Sequence, residues 1–197
     1  MTLFPVILAV PVAGPGLPGE ERVARLSELA REALRMSAER SGLVLDDPVK
    51  DDDDVPIPVN GTWWSVSHKP RCVAAVVSTE PAGIDIEDLE PRSEPPYRLV
   101  ASEEEWALGG GRSQDLFFRY WTAKEAVLKA AGVGITGLKK CAVVSIPDGT
   151  HIVLSYRDRT FRVEQHYCMN HIAAVVQGDS EVEWRAVEYS GSRRPEA

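Results

Sequence analysis

The chain has 197 residues, 44% hydrophobic and 26% charged, with a formal net charge of −8. That is apolar material enough for one compact domain or two small packed halves, and too much for a wholly disordered chain. The acidic balance argues against a general nucleic-acid binder, and no apolar run approaches the ~20 residues of a membrane span.

The opening stretch, MTLFPVILAVPVAGPG, has no basic start and is interrupted by Pro5 and Pro11, so residues 3–12 read as a buried strand rather than a signal peptide. From Glu20 to about Arg40, Val23, Leu26, Leu29, Ala30, Ala33, Leu34 and Ala38 recur every three or four residues, the pattern of an amphipathic helix. Gly42 suits the left-handed turn that ends such a helix. Residues 46–54 form an acidic loop, and the four aspartates at 51–54 read as its solvated face rather than as a metal trap. Short strands follow at 62–66, 71–77 and 83–87, then a linker at 91–96. Ser102 and Glu105 have capping-box spacing and start a short helix, which Gly109-Gly110-Gly111 ends. A longer helix runs from about 113 to 131 and stops at Gly132. The remainder reads as strands at about 140–146, 151–156, 160–167, 171–177 and 182–188. Three widely spaced cysteines, Cys72, Cys141 and Cys168, with no CxxC pair, fit a reducing cytoplasm better than a disulfide framework or a zinc site.

The stretch CVAAVV at 72–77 is echoed by HIAAVV at 171–176, and the order of helix and then strands recurs. The expected fold is therefore α+β: two halves related by a pseudo-twofold, each a helix packed on a mainly antiparallel sheet. The halves are placed at 1–97 and 98–189, with 190–197 as a disordered tail.

Three segments carry candidate chemistry. In Gly83-Ile84-Asp85-Ile86-Glu87, strand alternation turns Asp85 and Glu87 to one face and Ile84 and Ile86 to the core. Two carboxylates on one face call for something positive between them, and hard oxygen donors suit Mg²⁺ or Mn²⁺. An exposed polar strand edge is the ordinary alternative. In the long helix, Trp121, Glu125 and Lys129 share a face, with Glu125 and Lys129 in the favourable order for an ion pair. Phe117, Phe118 and Tyr120 make the surroundings apolar, so Lys124 and Glu125 are candidates for shelter, and a sheltered carboxylate needs a metal or a cation. A surface pair beside a core tryptophan is the ordinary reading. In Ser65-Val66-Ser67-His68, a hydroxyl and an imidazole at a strand end precede a turn with Lys69 and Arg71, a set that can bind phosphate. A Ser–His–Asp hydrolase reading lacks the G-x-S-x-G elbow.

Taken in order, S-x-S-H, G-I-D-I-E and W-x-x-K-E-A-x-x-K resemble the 4′-phosphopantetheinyl transferase superfamily. The likeness is to the two-halved branch typified by the surfactin-synthetase activator, rather than to the short trimeric carrier-protein synthases. It covers residues 56–140 well, 20–42 loosely, and the last fifty residues in strand pattern only. The resemblance implies that Asp85, Glu87 and Glu125 ligate Mg²⁺, with Mn²⁺ as the alternative, and that the ion also binds the pyrophosphate of coenzyme A. It implies that Glu125, directly or through water, takes the proton of the carrier serine, and that Lys129 stabilises or protonates the departing 3′,5′-ADP. Lys124 would contact phosphate or the pantetheine arm, and Ser67 and His68 would bind the coenzyme A phosphates. Glu105 would support the site or cap its helix, and Arg22 would lie near the nucleotide. Relatives carry a G-K-P segment before the S-x-S-H strand; Asp54-Val55-Pro56-Ile57-Pro58 here has no lysine, and Lys50 and Lys69 are out of register. The implied protein is a cytoplasmic, monomeric enzyme acting on an apo acyl, aryl or peptidyl carrier domain in secondary-metabolite synthesis, with no nucleic-acid or membrane partner. The competing readings are a non-catalytic coenzyme A- or carrier-binding module on the same fold, and a metal-dependent phosphohydrolase.

Overall fold

A computed structural model describes residues 1–10, 19–91, 93 and 95–188. The end of the first expected strand, parts of the 91–96 linker and the expected tail lie outside the described residues.

The architecture is one unit used twice: a strand, a helix, and a hairpin that the helix covers. In the first copy these are β2 (Val6–Ala9), α1 (Gly19–Ser41), and the hairpin of β3 (Trp63–Lys69) and β4 (Cys72–Ser78). In the second they are β5 (Ile84–Asp88), α4 (Gln114–Ala130), and the hairpin of β8 (Arg159–Cys168) and β9 (His171–Val176). β2 runs antiparallel to β4, with Val6 opposite Ala75, as β5 does to β9, with Asp85 opposite Ala174. The CVAAVV and HIAAVV segments thus hold the same central place in their sheets. The second sheet extends outward through β7 (His151–Tyr156) and β6 (Ala142–Ser145), in the order β5-β9-β8-β7-β6.

The sheets do not divide where the chain was divided at residue 97. β5 precedes that point but belongs to the second sheet, and β11 (Arg185–Val187) follows it but lies parallel to β2 in the first, whose order is β11-β2-β4-β3. β10 (Glu181–Val182) likewise pairs with β1 (Thr2–Leu3). Each half therefore lends a strand to the other.

Three apolar layers result. Leu26, Leu29, Ala33 and Leu34 of α1 pack on Val73, Ala75 and Val77. Phe117, Tyr120, Ala123 and Val127 of α4 pack on Ile152, Leu154, Val163, Ile172 and Ala174. Between the sheets, Ile7, Cys72, Ala74 and Val76 meet Ile84, Ile86, Ala173 and Val175. The paired alanines explain themselves: one of each pair faces the helix and the other faces the opposite sheet, and both sides need close approach.

Differences from the sequence reading are local. Pro5 has no N–H to give a ladder and splits the first strand into β1 and β2. A short helix α2 (Tyr97–Val100) follows the linker, and 182–188 is two short strands rather than one. The strand expected from 140 begins at Ala142, after a 3₁₀ turn at Ile135–Lys140. The capping box is present at the start of α3 (Glu103–Leu108): the Ser102 hydroxyl accepts from the Glu105 amide, and the Glu105 carboxylate accepts from the Ser102 amide at 2.8 Å. All three cysteines are free thiols. Among the described residues no helix is long and apolar enough to cross a membrane.

Candidate functional site

The site forms where α4 crosses β5. Ile84 and Ile86 are fully buried in the layer between the sheets, so alternation turns Asp85 and Glu87 towards the helix. Both carboxylates are nonetheless buried, at 5% and 4% exposure. Gly83 permits this crossing: a Cβ there would stand 1.9 Å from the Ala126 carbonyl oxygen and 2.7 Å from the Ala130 nitrogen. α4 starts at Ser113, whose hydroxyl accepts from the Leu116 amide at 3.1 Å.

Asp85 Oδ1 accepts from Ser67 Oγ at 2.7 Å and from Lys129 Nζ at 2.7 Å. Lys129, which helical spacing pairs with Glu125, thus reaches across to β5, where it also donates to the Ile84 carbonyl at 3.0 Å. Glu87 Oε1 accepts from the Trp121 indole at 2.8 Å and pairs with Lys69 Nζ at 2.7 Å. Among the described residues, Asp85 Oδ2 and Glu125 Oε1 are buried without a hydrogen-bond partner. Burial, followed by the charge of Asp85, raises the Glu125 carboxyl above its ordinary pKa; Glu87 adds to the rise, while Lys129 and Lys69 oppose it.

Among the described residues, no group of three or more His, Cys, Asp or Glu side chains is arranged as around a metal ion. The ammonium groups of Lys129 and Lys69 stand against the Asp85 and Glu87 carboxylates instead. In kind, the donors suit a hard divalent cation: they are carboxylate oxygens, and Asp85 Oδ2 and Glu125 Oε1 are buried without a hydrogen-bond partner among the described residues.

Ser67 is buried against Asp85, and His68 beside it is exposed. Partial desolvation, then the charges of Lys129, Lys50 and Lys69, hold the His68 imidazole below its ordinary pKa. The charge of Lys50 is thus felt at His68, although its ammonium pairs with Asp54 at 2.8 Å. The acidic loop around it is a set of turns. Asp51 Oδ1 accepts from the amides of Asp53 and Val55, Asp54 adopts a positive φ of 63°, and Lys50 bridges back to Pro56. The signal in the sequence is the run of aspartates, which favour such turns.

Lys124 does not join this group. Its side chain is 1% exposed, and its ammonium donates to the Val100 carbonyl at 2.6 Å and to Glu105 Oε1 at 2.7 Å. The resemblance implies that Lys124 contacts phosphate or the pantetheine arm; here α4 turns it towards α3, away from the Asp85, Glu87 and Lys129 cluster. Glu105 both caps α3 and receives Lys124. Arg22 is exposed near the start of α1. The role of Trp121 as a donor to Glu87 was not legible from its spacing, since a helix-face periodicity does not say what the indole N–H meets.

Residues 81–177, which contain β5, α4 and the second hairpin, match the model of the 4′-phosphopantetheinyl transferase superfamily. The 4′-phosphopantetheinyl transferase HetI of Nostoc sp. is 35% identical over 100 residues, covering 45% of this chain and 40% of that protein. A 4′-phosphopantetheinyl transferase of Bacillus subtilis is 26% identical over 115 residues, covering 53% of this chain and 51% of its own length. The chain thus spans about half the length of these curated relatives, or less. The likeness of this chain to the 4′-phosphopantetheinyl transferase superfamily thus lies in residues 81–177, the stretch that carries β5 and α4.

Proposed function

We propose that this chain transfers the 4′-phosphopantetheine arm of coenzyme A to a serine of an apo acyl, aryl or peptidyl carrier protein and releases 3′,5′-ADP. The observation that carries the reading is the convergence of Asp85 and Glu87 from β5, Lys129 from α4 and Ser67 from β3 on one buried cluster, with Glu125 within its electrostatic reach. All of these come from one chain, which favours a monomer, and the free thiols fit a cytoplasmic setting.

Asp85, Glu87 and Glu125 would hold Mg²⁺ or Mn²⁺. Such an ion offsets the carboxylates' mutual repulsion and the charge on pyrophosphate oxygens. The chain's own groups do the rest. His68, Lys50 and Lys69 form a basic face for the phosphates of coenzyme A on an otherwise acidic protein. The Ser67 hydroxyl donates to Asp85 and fixes the orientation of that carboxylate. Glu125, made more basic by burial, takes the proton of the carrier serine directly or through water. The serine oxygen then bonds to the β-phosphorus, and the bond from that phosphorus to the 3′,5′-ADP oxygen breaks. Lys129 stabilises or protonates the departing oxygen. Positioning and electrostatics supply most of the rate in such a transfer.

The test is an intact-mass assay with purified protein, Mg²⁺, coenzyme A and a panel of apo acyl, aryl and peptidyl carriers. A gain of one phosphopantetheine on a carrier serine is expected. No gain on any carrier overturns the reading. Carrier binding without a gain points to a non-catalytic module, and release of phosphate without any carrier points to a phosphohydrolase.

A further inference from the structure

We infer that the buried Lys124–Glu105 ion pair sets the position of Glu125, making Lys124 a positioning residue and not a phosphate ligand; the inference rests on the transferase reading above. The pair is closed to solvent, with side chains 1% and 15% exposed. Glu105 Oε1 receives both Lys124 Nζ at 2.7 Å and the Val143 amide at 2.8 Å, while Oε2 receives the Ser102 amide at 2.8 Å. Lys124 adds a bond to the carbonyl of Val100, the last residue of α2. One turn earlier on α4, the Tyr120 hydroxyl donates to the Glu105 carbonyl at 2.6 Å. The helix is thus fastened at two points, one turn apart, to a single residue of α3. That residue is held in turn by β6 and its own cap, while Lys124 itself is also held by α2.

Successive helical residues point ~100° apart, so turning residue 124 into α3 aims residue 125 at β5. There is little slack on the far side. Gly83 leaves no room for a Cβ between β5 and α4, and Lys129 ties the helix to Asp85. A helix held on both flanks has one rotation about its axis. The charge of Lys124 is neutralised where it lies, against the Glu105 carboxylate.

The experiment compares Lys124→Met, Lys124→Arg, Glu105→Gln and the double variant Lys124→Met/Glu105→Gln in the carrier-loading assay, with kcat and KM for coenzyme A measured separately. All four should lower kcat by about 10- to 100-fold, the scale of a small misplacement of a reacting group, with KM for coenzyme A changed less than threefold. Arg should not rescue, because the closed socket has no room for a longer, forked group. Glu105→Gln should act like Lys124→Met although it removes no cation, and the double variant should be no worse than either single. A raised KM with kcat retained, full activity of Lys124→Arg, or an unaffected Glu105→Gln overturns the inference and leaves the transferase reading standing. If a single variant does not fold, the double carries the comparison, because it leaves no unpaired buried charge. Wild type inactive on every carrier overturns the transferase reading instead. The positioning claim is then read from amide hydrogen exchange. Faster exchange in residues 121–129 of the double variant, with α1 unchanged, supports it, and unchanged exchange overturns it.

Discussion

Lys129 donates to Asp85 Oδ1 at 2.7 Å and to the Ile84 carbonyl at 3.0 Å, so it joins α4 to the very carboxylate that a divalent cation would take. Such an ion would compete with the ammonium for that carboxylate. Lys129→Met should therefore bind Mn²⁺ more tightly than wild type, by about tenfold or ~1.4 kcal/mol, while its transfer rate falls at least a hundredfold from loss of the group facing the departing oxygen. Titration calorimetry with Mn²⁺ alone reads the first effect and carrier loading the second. Weaker Mn²⁺ binding in the variant would show that Lys129 does not oppose the ion. In wild type, chelation should abolish transfer, and Mg²⁺ should restore it.

The position of Glu125 gives it a pH signature. Burial and the Asp85 charge raise its folded-state pKa, so the folded protein binds a proton there that the unfolded chain has already lost. The stability this contributes is complete below the unfolded pKa of about 4.3 and is lost as pH rises through the folded value. Glu125→Gln removes the dependence. In chelator, its melting temperature at pH 7 should be no lower than that of wild type, and any advantage should shrink towards pH 4. Carrier loading should fall by about 10²–10⁴-fold, the usual scale for a lost general base. A variant that melts lower at pH 7 would show that the carboxylate is stabilised by partners rather than strained by burial.

The placing of β5's side chains is legible in the sequence. Period-2 alternation at 84–87 is a local rule, and it placed Ile84 and Ile86 in the core with Asp85 and Glu87 opposite. The doubled strand-helix-hairpin unit was legible from CVAAVV and HIAAVV because both alanines in each are demanded by close packing on two sides. The exchange of β5 and β11 between sheets was not legible, since strand pairing is a long-range choice that no local pattern encodes. Nor was the fate of the lysines. Helical spacing placed Lys124 next to Glu125 and gave Lys129 to it, yet a long, flexible side chain goes to whichever buried carboxylate lies in reach, and here those are Glu105 and Asp85.

Gly83 tests how closely the two elements of the site must approach. An alanine Cβ would overlap the Ala126 carbonyl oxygen at 1.9 Å and press on the Ala130 nitrogen and Cβ at 2.7 and 2.9 Å. Backbone on the other side cannot step aside as a side chain can. Gly83→Ala should cost about 1–3 kcal/mol or more by overpacking, lowering the melting temperature by at least ~2–4 °C for a chain of this size. Transfer should fall further than the lost stability explains, because α4 is displaced from β5. A melt within one degree of wild type would show that the crossing has slack.

Lys50 acts on His68 through its charge. With Lys129 and Lys69 it lowers the pKa of His68, which partial desolvation lowers already. Removing a cation relieves the charged imidazolium of a repulsion, so Lys50→Ala should raise the His68 pKa towards its ordinary value, and more so at low salt. Proton NMR of the His68 ring across pH 5–8 reads the shift directly. Folding stability should change by no more than ~1 kcal/mol, because the Lys50 ion pair with Asp54 is largely exposed. If the basic face receives coenzyme A phosphates, KM for coenzyme A should rise in the same variant while kcat holds. An unmoved His68 titration would mean that the loop carries Lys50 away from the site in solution, and the phosphates would then rely on His68, Lys69 and Lys129.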